Sequence, residues 1–261
     1  CIKNPMMDPK DQIADIKIKA ERLSQLTCSY GLSQQTVRLA YFSVFLPAVQ
    51  YPLTSSSMPK KALDAVQAKA TRRFLTAMGF HPNTPRIVAY APKQLGGIGM
   101  QRLYTNQGVK NTLTMLRHLR ANTTVGKLFR INIDWLQRWS GCGRCVMEHP
   151  DAKIPPTTSK FLMSIREFLA KCRASVLVKE KPKLQRAHDL YIMDSFLEEN
   201  IHRKKIGIIN KVRLFLQVEM MSGISNPEGT KIDQAWLCDG AKPSWSTHKW
   251  ARIKQTKKKM W

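Results

Sequence analysis

The chain has 261 residues, with 43 Lys or Arg against 18 Asp or Glu, a formal net charge of +25, and a hydrophobic fraction of 43%. That apolar content supports a packed core and excludes wholesale disorder. No run reaches the roughly 18–20 apolar residues of a membrane span, and the nearest, 39–53, is broken by Pro47 and Pro52.

No signal peptide is visible, so the expected setting is nuclear or cytoplasmic and not secreted, with no membrane partner. The six cysteines, Cys1, Cys28, Cys142, Cys145, Cys172 and Cys238, are sparse and irregularly spaced, which indicates free thiols. Cys at position 1 marks a processed product or a piece of a longer reading frame.

Asp8-Pro9 opens the first predicted helix, with Asp8 as N-cap and proline at the first helical position. Ile13, Ile16, Ala20, Leu23 and Leu26 recur at helical spacing behind it. A second helix starts at Ser33, with Leu32 and Val37 placed for a hydrophobic staple, and Pro47 is expected to kink or end it. A third runs from Pro59 to Met78 and closes at Gly79, on a stripe of Leu63, Val66, Ala70, Phe74 and Ala77. Arg86 to Tyr90 is β-branched and bounded by Pro85 and Pro92, which predicts a strand or extended segment. Gly96-Gly97-Ile98-Gly99 lacks the spacing of a dinucleotide loop or a P-loop and is a plain turn.

Helices are next predicted over Leu103–Arg120 and Thr124–Trp139. In the first, Val109, Thr112, Leu113, Leu116 and Leu119 form the inward face, while Lys110, Thr114, Arg117 and His118 lie opposite with Arg120 at the edge. In the second, Leu128, Ile131, Trp135 and Leu136 are expected to be buried. Later helices are predicted over Ser159–Lys171, His188–Glu199 and Lys204–Met221, with Val176–Val178 at best a short strand.

Between Asp64 and Asp134 lie 69 residues without an acid and with eleven Lys or Arg. Such a stretch cannot hold the metal ions of a polymerase or nuclease, which need clustered carboxylates. A basic segment with helical periodicity indicates a phosphate-binding surface. Its candidate residues are Lys69, Arg72, Arg73, Arg102, Lys110, Arg117, Arg120, Lys127 and Arg130. The C-terminal segment adds Trp250, Lys257, Lys258 and Lys259, where indoles would stack bases while cations meet phosphates.

Several stretches, in order, carry a resemblance. They include Leu32–Leu53, Lys61–Gln67, Phe74-Leu75, Gly79-Phe80, Pro85–Val88, Leu95–Gly99, Leu103-Tyr104, Gln107-Gly108 and His118–Ala121. Further along come Gly126–Ile131, Ser164–Leu169, Tyr191–Asp194, Arg213–Val218 and a Trp/Lys-rich end. Together they resemble the region downstream of the polymerase active site in reverse transcriptases of non-LTR retroelements, in the version abundant in diatoms and other algae. The likeness spans most of residues 10–261 and rests on order and spacing, since no single stretch is a catalytic signature.

The resemblance implies a thumb-like and connection region holding a template–primer duplex of RNA, DNA or RNA–DNA hybrid. It implies the palm and fingers of the same polyprotein as partner. The Y-x-D-D palm, and any Mg²⁺, would lie before Cys1. Tyr191-Ile192-Met193-Asp194 only imitates that motif, because Met193 stands where the first essential Asp belongs.

The expected fold is mainly α, a thumb-like multi-helix bundle with one or two short strands. The expected organisation is a thumb-like helical region over 1–146, a Pro-containing linker over 147–158, a second helical region over 159–240 and a basic Trp/Lys-rich tail over 241–261. The expected function is nucleic-acid binding without catalysis. The alternatives are a free-standing basic helical RNA- or DNA-binding protein, or a relic open reading frame without function. No cofactor is expected. Cys142, Cys145 and His149 form a C-x2-C-x3-H spacing that is a weak zinc candidate, short of a fourth ligand.

Overall fold

A computed structural model describes residues 9–121, 123–157, 159–177, 189–198, 201–226, 228 and 230. The fold is mainly α, and the chain divides after Ala121 into two compact helical units.

In the first unit, α1 spans Lys10–Ser29. Its N-cap is Pro9, one place later than the sequence predicts, and the Pro9 carbonyl accepts from the Ile13 amide at 2.8 Å. Asp8 lies outside the described residues. α2, Gln34–Ala40, is capped by the Ser33 hydroxyl, which accepts from the Thr36 amide at 3.2 Å. The helix then continues where Pro47 was expected to kink or end it. It runs through a π turn at Tyr41–Phe45 into α3, Leu46–Gln50, and the Leu46 amide reaches back to Tyr41. The wider turn rearranges the hydrogen-bond ladder just where proline cannot donate and its ring would crowd a carbonyl.

A 3₁₀ turn at Tyr51–Ser55 leads to α4, Lys60–Ala77, which ends at Gly79 in the left-handed region with φ +82°. Tyr41, Phe45 and Phe74 form an aromatic cluster with ring centroids 4.9–5.5 Å apart. Around it Ile16, Leu53, Leu63, Leu75 and Leu103 complete the core.

Arg86–Tyr90 is a single helical turn, α5, and not the expected strand. Pro85 starts it, with the Ala89 amide bonded to the Pro85 carbonyl at 3.0 Å. The β-branched Ile87 is 80% exposed while Ala89 is fully buried, so packing selects the small residue and overrides the strand propensity. The glycine turn then folds back. Gly96 and Gly99 take φ +76° and +79°, and a side chain at Gly97 would collide with the Ala91 carbonyl.

α6 spans Leu103–Arg120 as the sequence predicts, but with a different inward face. Leu103, Gln107, Asn111 and Met115 point into the unit. Val109 and Leu113 are exposed, and Thr112, Leu116 and Leu119 are half-buried. The inner positions go to amides because the adjoining loops present main-chain groups that need partners. Gln107 bonds both the amide and the carbonyl of Met58, at 3.2 and 3.0 Å. Gln67 on α4 similarly accepts from the Leu103 amide and donates to the Gln101 carbonyl, at 3.0 and 2.6 Å.

In the second unit, α7 spans Thr124–Ser140, capped by the Thr123 hydroxyl and ended by Gly141 at φ +63°. Leu136 is buried as expected, but Leu128, Ile131 and Trp135 are exposed at 53, 61 and 41%. The buried ridge instead contains Gly126, Ile133, Leu136 and Ser140. α8, α9 and α10 span Lys160–Cys172, Ile192–Glu198 and Arg203–Leu216. α10 stops short of the predicted Met221 because Gln217 turns left-handed at φ +56°.

Among the described residues there is no strand. Val176 bonds through its amide to the Met147 carbonyl, Val178 lies outside the described residues, and an isolated β bridge pairs Tyr191 with Met220. The proline-containing segment expected as a linker packs inside this unit: Met147 is fully buried, and the Trp139 indole donates to the Pro156 carbonyl at 3.0 Å.

Arg213 holds the unit's centre. It is 1% exposed, and Nη2 donates to the Arg138 and Trp139 carbonyls at 2.7 and 3.1 Å. Nη1 donates to the Val218 carbonyl and Nε to Asn210 Oδ1. The cation thus closes the C-terminal end of α7, where free carbonyls and the helix dipole favour positive charge.

The inward face of α6 makes opposite forecasts for neighbouring residues. Met115→Ala should cost about 2–5 kcal/mol in urea unfolding, as buried truncations do, and Leu113→Ala at most about 1 kcal/mol. Equal costs would refute this assignment of the face.

Candidate nucleic-acid interface

Nine of the eleven cations in the acid-free stretch were expected to bind phosphate, and the fold separates them into two groups. Lys69 and Arg73 lie one turn apart on α4 and converge on Glu21 of α1. Lys69 Nζ is 3.3 Å from Glu21 Oε1, and Arg73 donates to the Glu21 carbonyl and the Ser24 hydroxyl at 3.2 Å each. Arg102 grips Asp64 with two bonds of 3.1 and 2.9 Å and lies 6.0 Å from the centroid of the Tyr90 ring. Lys110 donates to Gln50 Oε1 at 2.9 Å. These four side chains join elements within the first unit. Their half-exposed ion pairs contribute little stability each, about 0.2–1 kcal/mol.

The remaining five are exposed. Arg72 is on α4, and Arg117 and Arg120 are in the last turn of α6, where cations also complement the helix dipole. Lys127 and Arg130 are one turn apart on α7, in the second unit. The expected set is therefore distributed over three helices. Trp250, Lys257, Lys258 and Lys259 lie outside the described residues.

Charge arithmetic favours an anionic partner for the first unit. Residues 9–121 contain sixteen Lys or Arg and only four Asp or Glu. Three of those acids are already engaged, in Asp15–Lys19, Glu21 with Lys69 and Arg73, and Asp64–Arg102. The fourth, Asp11, lies in the first turn of α1.

Sequence reasoning missed Arg86. It begins α5 and, with Asp64, Tyr90, Arg102, Thr105 and Asn106, lines an open groove of about 770 Å³. Its Nη1 is buried without a hydrogen-bond partner. The signal was available, since Arg86 lies inside the acid-free stretch, but the strand expectation hid it.

The second unit contains the residues of the weak zinc candidate. Cys142, Cys145 and His149 line one small cavity together with Asp194. No group of three His, Cys, Asp or Glu among the described residues is placed to hold a metal ion. Burial pushes the Cys142 thiol up to about 12, reinforced by the nearby Asp194 carboxylate, and its Sγ donates to the Ser140 carbonyl at 3.4 Å. A protonated, donating thiol is a poor metal ligand. Asp194, of the Y-x-M-D stretch, accepts from the Gly143 amide at 3.0 Å, and Met193 before it is fully buried. That carboxylate anchors a turn.

Comparison with protein-family models, curated proteins and solved structures finds no match to this chain.

Two measurements follow from this geometry. Charge reversal at both Arg117 and Arg120 should weaken duplex binding at low salt while moving stability by less than about 0.5 kcal/mol each. Unfolding without loss of binding would make these residues scaffold. Alkylation at pH 8 should modify exposed Cys172 and leave buried Cys142 untouched. The folded Cys142 thiol titrates above its ordinary value of about 9, so its contribution to stability is complete below that pH and is lost as pH rises toward 12.

Proposed function

We propose that this chain is the nucleic-acid-binding C-terminal region of a retroelement reverse transcriptase, holding template–primer duplex and performing no catalysis alone. The observation that carries the reading is the uncompensated charge of the first unit, where the few acids already serve internal ion pairs. A surface of that sign attracts a polyanion, and its contacts go to backbone phosphates irrespective of sequence. The ordered likeness to reverse transcriptases supports the retroelement assignment, and the partner would then be the palm and fingers of the same polyprotein. Any Mg²⁺ would be bound by that palm. A free-standing basic binder would use the same phosphate contacts and differ in lacking the palm.

The groove beside Arg86 suits this role. Arg86 lines it with a nitrogen that has no hydrogen-bond partner, and Thr105 and Asn106 supply further hydrogen-bonding groups beside the Arg102–Asp64 pair.

The salt dependence of binding tests the reading. Five exposed cations neutralising about five phosphates should give a slope of log K against log[salt] of about −4 to −5. A flat dependence, or no binding to hybrid or duplex at low salt, would refute it. Primer extension and nuclease assays with Mg²⁺ or Mn²⁺ should both stay at background, and activity abolished by Asp194→Ala would overturn the non-catalytic assignment.

A further inference from the structure

Among its described residues the second unit buries two arginines, Arg166 and Arg213, and it treats them in opposite ways. Arg213 has a partner on every guanidinium nitrogen. Arg166 on α8 is equally buried at 2% exposure, yet only its Nη2 is bonded, to the Ala152 carbonyl at 2.8 Å. Its Nε and Nη1 have no hydrogen-bond partner. Burial pushes its pKa down, but a guanidinium keeps its proton at any physiological pH. A buried charge left with most of its donors unused is strongly unfavourable unless an anion joins it.

Arg166 also lines a cavity of about 520 Å³. Lys153 and Lys171, both exposed, line it with Arg166, as do Asp151 and Glu167. Asp151 acts on Arg166 electrostatically without a hydrogen bond to it, and three cations against two acids leave the cavity's lining net positive. Two free nitrogens on one guanidinium, flanked by two ammonium groups, match a ligand with acceptors on several sides. A tetrahedral phosphate provides them better than a planar carboxylate.

We propose that this cavity is an anion site, in which Arg166 with Lys153 and Lys171 binds a phosphate group. The group is either free phosphate or the terminal phosphate of a nucleic-acid strand. The site does not depend on the proposed polymer binding, since the phosphate group alone satisfies the buried donors.

The test uses the full chain and inorganic phosphate, with thermal unfolding and calorimetric titration against chloride and acetate at equal ionic strength. Phosphate should raise the thermal midpoint beyond both controls. Arg166→Met should lower its affinity at least tenfold, and Lys153→Glu or Lys171→Glu severalfold. Arg166→Met should still fold, because replacing an unpaired buried charge by an apolar chain is neutral or stabilising. If it does not fold, the two lysine reversals at exposed positions decide, and undiminished phosphate binding in both overturns the proposal. So does a wild-type response that acetate or chloride reproduces.

A parallel titration compares one oligonucleotide with and without a 5′-phosphate. An advantage for the phosphorylated strand that disappears in the variants identifies a strand end as the source. Phosphate binding without that advantage identifies free phosphate. Salt-dependent binding of the unphosphorylated strand by all variants reports on the polymer reading alone.

Discussion

The scarcity of carboxylates is the constraint on which this structure turns. With 43 cations and 18 acids, several inner arginines have no Asp or Glu to pair with and bond to main-chain carbonyls instead. Arg38 bonds to the Ile98 carbonyl, Arg166 to that of Ala152, and Arg213 to those of Arg138, Trp139 and Val218. A carbonyl is a dipole and not a counter-charge, so these arginines gain hydrogen bonds while their charge persists. Architecture and electrostatics are thereby joined: the contacts that tie helices together leave the net positive field intact. The same choice explains why glutamines carry so much of the first unit's interior. Gln67 and Gln107 bond main-chain donors and acceptors at once without adding or removing charge.

Helix positions were legible wherever the signal is local. The Ser33 cap and the end of α4 at Gly79 follow from residues that act within one turn. Inward faces were less legible. A periodicity argument looks for leucines, but α6 turns Gln107 and Asn111 inward because loop groups some fifty residues earlier in the chain need partners. α5 failed for a related reason. Its β-branched residues favour a strand only when another strand is beside them, and here two prolines and a buried alanine set a helical turn.

The candidate interface was legible as a charge total and not as a surface. Nothing near Lys69 or Arg73 in the sequence announces Glu21, which lies about fifty residues away. Nothing in the spacing of Arg166 or Arg213 marks them for the interior either. Long basic side chains default to solvent, and only the packed structure separates the cations that join helices from those that face outward. The exposed apolar residues of α7, Leu128, Ile131 and Trp135, show the converse: apolar periodicity identified the helix but not the side it buries.

The π turn at Tyr41–Phe45 has a consequence for how this region can change over evolutionary time. A π turn accommodates one residue more than the regular helix would, and each residue turns a helix by about 100°. Losing a single residue there would restore regular bonding but swing Leu46 and Val49, both buried, off the core, and would bring the ring of Pro47 against a helix carbonyl. Substitutions in this segment alter one contact at a time, whereas a change in its length alters the phase of everything that follows. Descendants of this sequence should therefore vary in composition between Gln34 and Gln50 while keeping the residue count fixed.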